Sequence, residues 1–134
     1  MEKVIVEIVY SGNNFGAHVP MLPGCVATGT TLNEVKKNIK EAIEFHVEGS
    51  IKDNDPIPEI FTKEYELVYK LSPEALLNAY SNIFTKAALS RITGINERQL
   101  WHYAAGVRKP RPNQVRKIEE GIHRLADELK AIAL

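Results

Sequence analysis

The chain opens on Val4 to Tyr10, VIVEIVY, a short run rich in β-branched residues and therefore a strand pattern. Ser11-Gly12-Asn13-Asn14 follows, four residues that favour a hairpin turn and tolerate positive φ. Phe15 to Pro20 reads as a second strand, punctuated by Pro23-Gly24, and Cys25 to Thr28 as a short third. Three strands so close together predict an antiparallel meander. The period then changes. Thr31 and Glu34 have the spacing of a capping box. Behind them Leu32, Val35, Ile39, Ala42, Ile43, His46 and Val47 recur at helical steps and form one apolar face, with Lys36, Lys37, Lys40, Glu41, Glu44 and Glu48 largely off it. Gly49-Ser50 is expected to end or fray this helix. Asp53 to Pro58 is a loop, since each proline disfavours helix in the residue before it. Tyr65 to Leu71, YELVYKL, predicts a fourth strand and completes a β-β-β-α-β domain over residues 1–71.

Residues 72–134 contain no further strand pattern. Ser72 is placed to cap a helix with Pro73 at its first position, running through Leu76, Leu77 and Tyr80 with almost no linker from the strand before it. Thr85 to Pro112, TKAALSRITGINERQLWHYAAGVRKPRP, reads as a helix-turn-helix followed by a basic loop. Thr85 caps the first helix, which carries Leu89 and Ile92. Gly94 supplies the left-handed residue that ends it. Asn96 caps the second, with Gln99 in capping-box spacing, and Gly106 ends that one. In such a motif the first residues of the second helix reach base edges in the major groove, here Asn96, Glu97, Arg98 and Gln99. Arg98 suits guanine and Asn96 or Gln99 adenine, by bidentate geometry. Lys86, His102, Arg108, Lys109 and Arg111 are the expected phosphate contacts. Pro112 opens a last helix in which Val115, Ile118, Ile122, Leu125, Leu129 and Ile132 fit a heptad seam as well as a globular face. That helix closes the core, dimerises, or does both. Gly121 inside it costs about 1 kcal/mol relative to alanine.

Charge sharpens this division. The chain of 134 residues has zero net charge, yet residues 1–71 hold 7 Lys, no Arg and 11 acids, whereas residues 72–134 hold 10 basic and 6 acidic residues. Between Thr85 and Lys117 there are 8 basic residues and one acid, Glu97. Such a block attracts phosphate through its field and through counterion release, while the acidic half suits a basic protein. No apolar run reaches the roughly 18 residues of a transmembrane helix, and residues 1–20 are unlike a signal peptide. The lone Cys25 excludes an intrachain disulfide, fits a reducing cytoplasm, and reads as a small buried hydrophobe.

The stretch Val19 to Gly49, VPMLPGCVATGTTLNEVKKNIKEAIEFHVEG, resembles the signature of HicB-type antitoxins. The matching positions are Leu22-Pro23-Gly24-Cys25, Thr28-Gly29, Thr31-Leu32 and Asn38 through Glu44. Met21 departs from it, standing where an acid is often found before Leu-Pro-Gly. The resemblance covers about the first seventy residues, and many such proteins carry a DNA-binding domain after them. It implies a partial ribonuclease-H-like fold without nuclease activity. It also implies a small mRNA-cleaving HicA-like toxin as partner, with a double-stranded-RNA-binding-like fold and a catalytic histidine, and repression of the shared operon. The motif itself reads as mainly structural.

The residues supply little for catalysis. A ribonuclease-H-type centre needs several carboxylates converging on divalent metals, and the predicted strands offer only Glu7 and Glu66. His18 and His46 are far apart and lack Cys or Asp partners at ligand spacing. No Ser-His-Asp set or phosphate-binding glycine loop is present. The expectation is a non-enzymatic α+β protein without metal or cofactor. Its HicB-like domain at 1–71 neutralises a toxin, and its helix-turn-helix domain at 72–134 binds operator DNA as a homodimer or higher oligomer. The competing reading is a stand-alone dimeric transcriptional regulator whose first domain senses a ligand or dimerises.

Overall fold

The computed structural model describes all residues 1–134 and is α+β, with a four-stranded mixed sheet and five helices. The strands are β1 (Glu2–Ser11), β2 (Asn14–His18), β3 (Val26–Gly29) and β4 (Tyr65–Leu71); the helices are α1 (Leu32–Lys52), α2 (Pro73–Ala79), α3 (Lys86–Thr93), α4 (Glu97–Ala104) and α5 (Pro112–Lys130). The chain divides into two compact units, Met1–Ala75 and Leu76–Leu134.

In the first unit the strand order is β3-β2-β1-β4. β1, β2 and β3 form the antiparallel meander, and β4 returns parallel to β1, with Glu2 opposite Tyr65 and Ile8 opposite Leu71. Gly12 and Asn13 both take positive φ, 56° and 70°, the geometry of a tight two-residue hairpin. Side chains alternate along β1: Val4, Val6 and Ile8 have no exposed surface, whereas Ile5 is 47% and Val9 49% exposed. α1 lies on the buried side. Its Leu32, Val35, Ile39 and Ile43 join Phe15, Ala17, Val19, Leu22 and Cys25 in the core. Each fully buried aliphatic side chain contributes about 1.5–3 kcal/mol of transfer free energy.

The Leu22–Gly29 segment is held by this packing. Val19 and Leu22 exchange turn hydrogen bonds with Cys25 and with each other, which tucks Leu22 and Cys25 inward at 3% exposure each. At Gly29 a side chain would meet the Val35 backbone nitrogen at 2.5 Å, so the first turn of α1 crosses β3 at a distance only glycine permits. Asn38 Nδ2 donates to the Thr28 carbonyl at 2.8 Å and fixes the same crossing.

Two local expectations need correction. Thr31 caps α1 by accepting from the Glu34 N–H at 3.1 Å, but the Glu34 carboxylate accepts from the N–H and hydroxyl of Thr30 rather than from Thr31. α1 does not stop at Gly49. It runs to Lys52, and the Asp53 N–H still donates to the Gly49 carbonyl at 3.0 Å. One glycine costs about 1 kcal/mol, too little to break a long packed helix. A 3₁₀ turn at Glu59–Thr62, for which no periodic signal exists, buries Phe61 beside Tyr65 with ring centroids 5.2 Å apart.

The second unit packs Leu77, Leu89, Ile95, Leu100, Tyr103 and Ile118 into its own core. Ser72 caps α2 by accepting from the Ala75 N–H at 3.1 Å. α5 ends at Lys130, so Ile132, the last residue of the apparent heptad, lies beyond the helix. Gly121 has an unexpected role. A Cβ there would lie 2.5 Å from the Ile92 carbonyl oxygen, so α5 meets the end of α3 backbone to backbone. Arg124 on the next turn donates to that same oxygen at 2.8 Å.

The propensity rule therefore has the wrong sign at this position. Gly121→Ala is expected to destabilise the C-terminal unit by about 1–3 kcal/mol despite alanine's better helix propensity. Urea denaturation of the two chains measures this, and an unchanged or raised midpoint would contradict the close approach.

Candidate nucleic-acid interface

α3 and α4 are joined by Gly94-Ile95-Asn96. Thr85 accepts from the Ala88 N–H at 3.0 Å to start α3, and Gly94, at φ 75°, ends it. The Thr93 hydroxyl donates to the Leu89 carbonyl at 2.7 Å and accepts from the Ile95 N–H at 3.2 Å, which locks the turn from inside. Ile95 and Leu100, at 2% and 0% exposure, then pin α4 to the core.

α4 is held at both ends. Asn96 Oδ1 accepts from the Arg98 N–H at 2.8 Å at the front, and Asn78 Nδ2 donates to the Ala104 carbonyl at 2.8 Å at the back. Past Ala104 the Gly106 N–H donates to the Tyr103 carbonyl and the Val107 N–H to the His102 carbonyl, the paired bonds of a Schellman ending. The capping box expected between Asn96 and Gln99 does not form. Gln99 Nε2 instead donates along the helix to the Tyr103 hydroxyl at 3.1 Å.

The outward surface of this pair is polar. Asn96, Glu97 and Arg98 are exposed and Gln99 is half-buried. A polar hollow beside them is lined by Asn96, Arg98, Gln99, His102, Arg108 and Gln114. His102 is half-buried with its Nδ1 enclosed and without a hydrogen-bond partner. Arg108, Lys109 and Arg111 are exposed on the segment leading into α5. The arrangement presents guanidinium and amide groups at a helix start, next to a short run of cations.

Lys86 is placed differently from those cations. It is only 5% exposed, and its ammonium lies 4.5 Å from the centroid of the Trp101 ring, which is itself 57% exposed. Burial pushes the Lys86 ammonium below the ordinary lysine value. Its electrostatic partner is the indole face. Arg124 and Asn78, which hold the ends of α3 and α4, had no signal in the sequence, because a single polar side chain aimed at a helix-end carbonyl leaves no periodicity.

The first unit shows no converging acid cluster. Glu7 pairs with His18 across β1 and β2 at 3.1 Å. Glu66 sits opposite Lys3 on the neighbouring strand, four residues from Glu7 and so about 13 Å away along the sheet. No group of three or more His, Cys, Asp or Glu side chains is placed to hold a metal ion. Cys25 is buried, which raises its thiol pKa. No helix is long and apolar enough to cross a membrane.

A two-layer domain of one helix on a four-stranded sheet, followed by a small helical unit, defines the class. The chain belongs to the HicB-like antitoxin family of bacterial toxin–antitoxin systems, whose profile matches residues 3–71. It is 42% identical over 55 residues to an uncharacterised 14.9 kDa protein of Haemophilus phage HP1, a match covering 41% of this chain and 40% of that one. It is also 42% identical over 55 residues to a UPF0150 protein of Synechocystis, covering 41% of this chain and 68% of the relative. A UPF0150 protein of Thermoplasma acidophilum is 49% identical over 41 residues, covering 31% of this chain and 59% of the relative. The chain thus spans 40% of the phage protein's length and 59% of the archaeal protein's. No solved structure matches it.

Trp101 is the only tryptophan and reports directly on Lys86. The unfolded lysine holds its proton more tightly than the folded one, so stability should rise with pH between the lowered folded value and the ordinary lysine value. Trp101 emission should titrate with a midpoint below the ordinary lysine value. Both effects should vanish in Lys86→Met, and a titration unchanged in that variant would remove Lys86 from the ring.

Proposed function

We propose that the chain is the antitoxin of a type II toxin–antitoxin pair. Its N-terminal unit binds and covers a HicA-like mRNA-cleaving toxin, and its C-terminal unit represses the shared operon as a helix-turn-helix protein. Family membership over residues 3–71 supports the first half. The β-β-β-α-β order agrees with a partial ribonuclease-H-like domain. The single observation that carries the second half is the exposed row Asn96, Glu97 and Arg98 at the start of α4, flanked by exposed Arg108, Lys109 and Arg111.

The geometry ranks the readers. Asn96 already commits its side-chain oxygen to the cap, and Gln99 its amide to Tyr103, which leaves neither free for an unperturbed bidentate contact with adenine. Arg98 has no such tie and is the principal base reader, with Glu97, Asn96 and Gln99 in support. Arg108, Lys109, Arg111 and His102 bind phosphate. Lys86 braces α4 through Trp101 instead. On the N-terminal unit, the sheet face away from α1 leaves Ile5, Val9, Val26 and Val68 between 37% and 65% exposed. These apolar side chains, interspersed with Glu7, His18, Glu66 and Lys70 on an acidic unit, suit a basic toxin, with charge speeding capture and buried apolar contact holding it.

Arg98→Ala should cost about 1–3 kcal/mol on operator DNA and much less on random DNA, as read by titration against both; equal losses would take base reading away from Arg98. Lys109→Ala should instead weaken both DNAs alike and reduce the slope of log K against log salt by about one. Both variants should still stop RNA cleavage by the toxin, because the two tasks occupy separate units. Loss of inhibition in either would contradict that separation.

A further inference from the structure

Trp101 stands in the open on α4, with 57% of its surface exposed. Around that helix Glu97, Arg98, Trp101 and Ala105 face outward, while Leu100 and Tyr103 are buried on the other side. At about 100° per residue the indole lies about 40° from Glu97 and about 60° from Arg98, inside the exposed sector. It therefore shares the outward face of Arg98 and sits about 4.5 Å further along the helix axis.

The ring is held before any ligand arrives. Lys86, from the first turn of α3, is 5% exposed and places its ammonium 4.5 Å from the ring centroid. The ammonium takes one face of the indole and leaves the rest of the ring for contact. A side chain fixed in this way loses little freedom on binding. The setting selects the occupant. Between Thr85 and Lys117 stand 8 basic residues and one acid, so the surface around the ring attracts a polyanion. Double-stranded DNA is a polyanion that also offers an apolar group to an indole, because its major groove displays the C5 methyl of thymine.

We propose that Trp101 reads a thymine methyl in the major groove, on a base pair next to the one that Arg98 reads. The contact rests on the DNA reading of the C-terminal unit and adds to it a position that hydrogen bonding does not decide. An indole has one N–H donor and no acceptor, so it recognises a base edge chiefly by apolar packing. Such packing favours thymine over cytosine, which has no methyl at C5. Arg98 and Trp101 together read two neighbouring steps from one face of α4, the first by its guanidinium and the second by its ring.

The test uses the full chain and the duplex that it enriches most strongly from a pool of randomised duplexes. Each thymine of that duplex is replaced in turn by deoxyuridine, which removes only the methyl. Each guanine is replaced by 7-deazaguanine, which removes the N7 acceptor. At one thymine the wild type should lose about fourfold in affinity, the worth of one buried methyl group. Trp101→Ala should bind the thymine and deoxyuridine duplexes alike, yet keep its sensitivity to 7-deazaguanine, which shows that α4 still docks. Should Trp101→Ala lose that sensitivity too, Trp101→Gln, closer in size, decides in its place. An enriched duplex with no thymine sensitive in the wild type overturns the contact and leaves the DNA reading standing. So does a thymine sensitivity that survives in a variant still docking α4. If no duplex is enriched, the DNA reading falls and the contact falls with it.

Discussion

One helix covers only one face of a four-stranded sheet, and the N-terminal unit is organised around that limit. The two-residue period of β1 sends Val4, Val6 and Ile8 under α1 and leaves Ile5 and Val9 on the open side. A slip of β1 by one residue would exchange the two sets and put Glu7 against the helix, away from its partner His18. Register is therefore fixed by burial, and parallel pairing with β4 closes the arrangement. The turn from Val19 to Cys25 serves the same packing. Leu22 and Cys25 extend the core, Gly29 lets α1 cross β3, and Asn38 ties that crossing down. Together these residues build the domain. The face of the sheet away from α1 leaves Ile5, Val9, Val26 and Val68 exposed.

The C-terminal unit depends on a comparably tight contact. Gly121 lets α5 rest on the final carbonyl groups of α3, and Arg124 completes that end. α4 is then fixed by Asn96 and Asn78 at its ends and by Ile95, Leu100 and Tyr103 on its inner side. The proposed DNA-reading role would need this rigidity, since a loosely held helix would lose orientational precision with every contact. Several polar side chains near the surface are used for support. Gln99 and Lys86 stabilise α4 from its flank and beneath Trp101, which leaves Arg98 and the cations after Gly106 open to a ligand.

Much of this architecture was legible in the sequence where a local pattern has one physical meaning. YELVYKL gave β4 with the bounds observed, and the caps at Thr31, Ser72, Thr85 and Asn96 each accept a backbone N–H as read. The left-handed Gly94 was equally plain. Other features depended on partners distant in sequence. Gly121 looked like a weak point in α5 because its neighbour Ile92 lies 29 positions earlier. Lys86 looked like an open cation because Trp101 is not its neighbour on α3. Gly49 looked like a stop, yet the cost of a single glycine is too small to end α1, which continues to Lys52. At the candidate interface, residue identity suggested Asn96, Glu97, Arg98 and Gln99 as base readers, and no local pattern showed that the Gln99 amide is engaged by Tyr103.

Family membership over residues 3–71 and the acidic balance of the first unit support the central proposal, that this chain binds a small basic partner protein. Affinity capture of the tagged chain from native cells after nuclease digestion, with mass spectrometry of small partners, tests it most directly. The account predicts a stoichiometric basic protein of well under about a hundred residues, the size of a single small domain. Recovery of the chain alone as a self-associated species would contradict it and point to a stand-alone regulator.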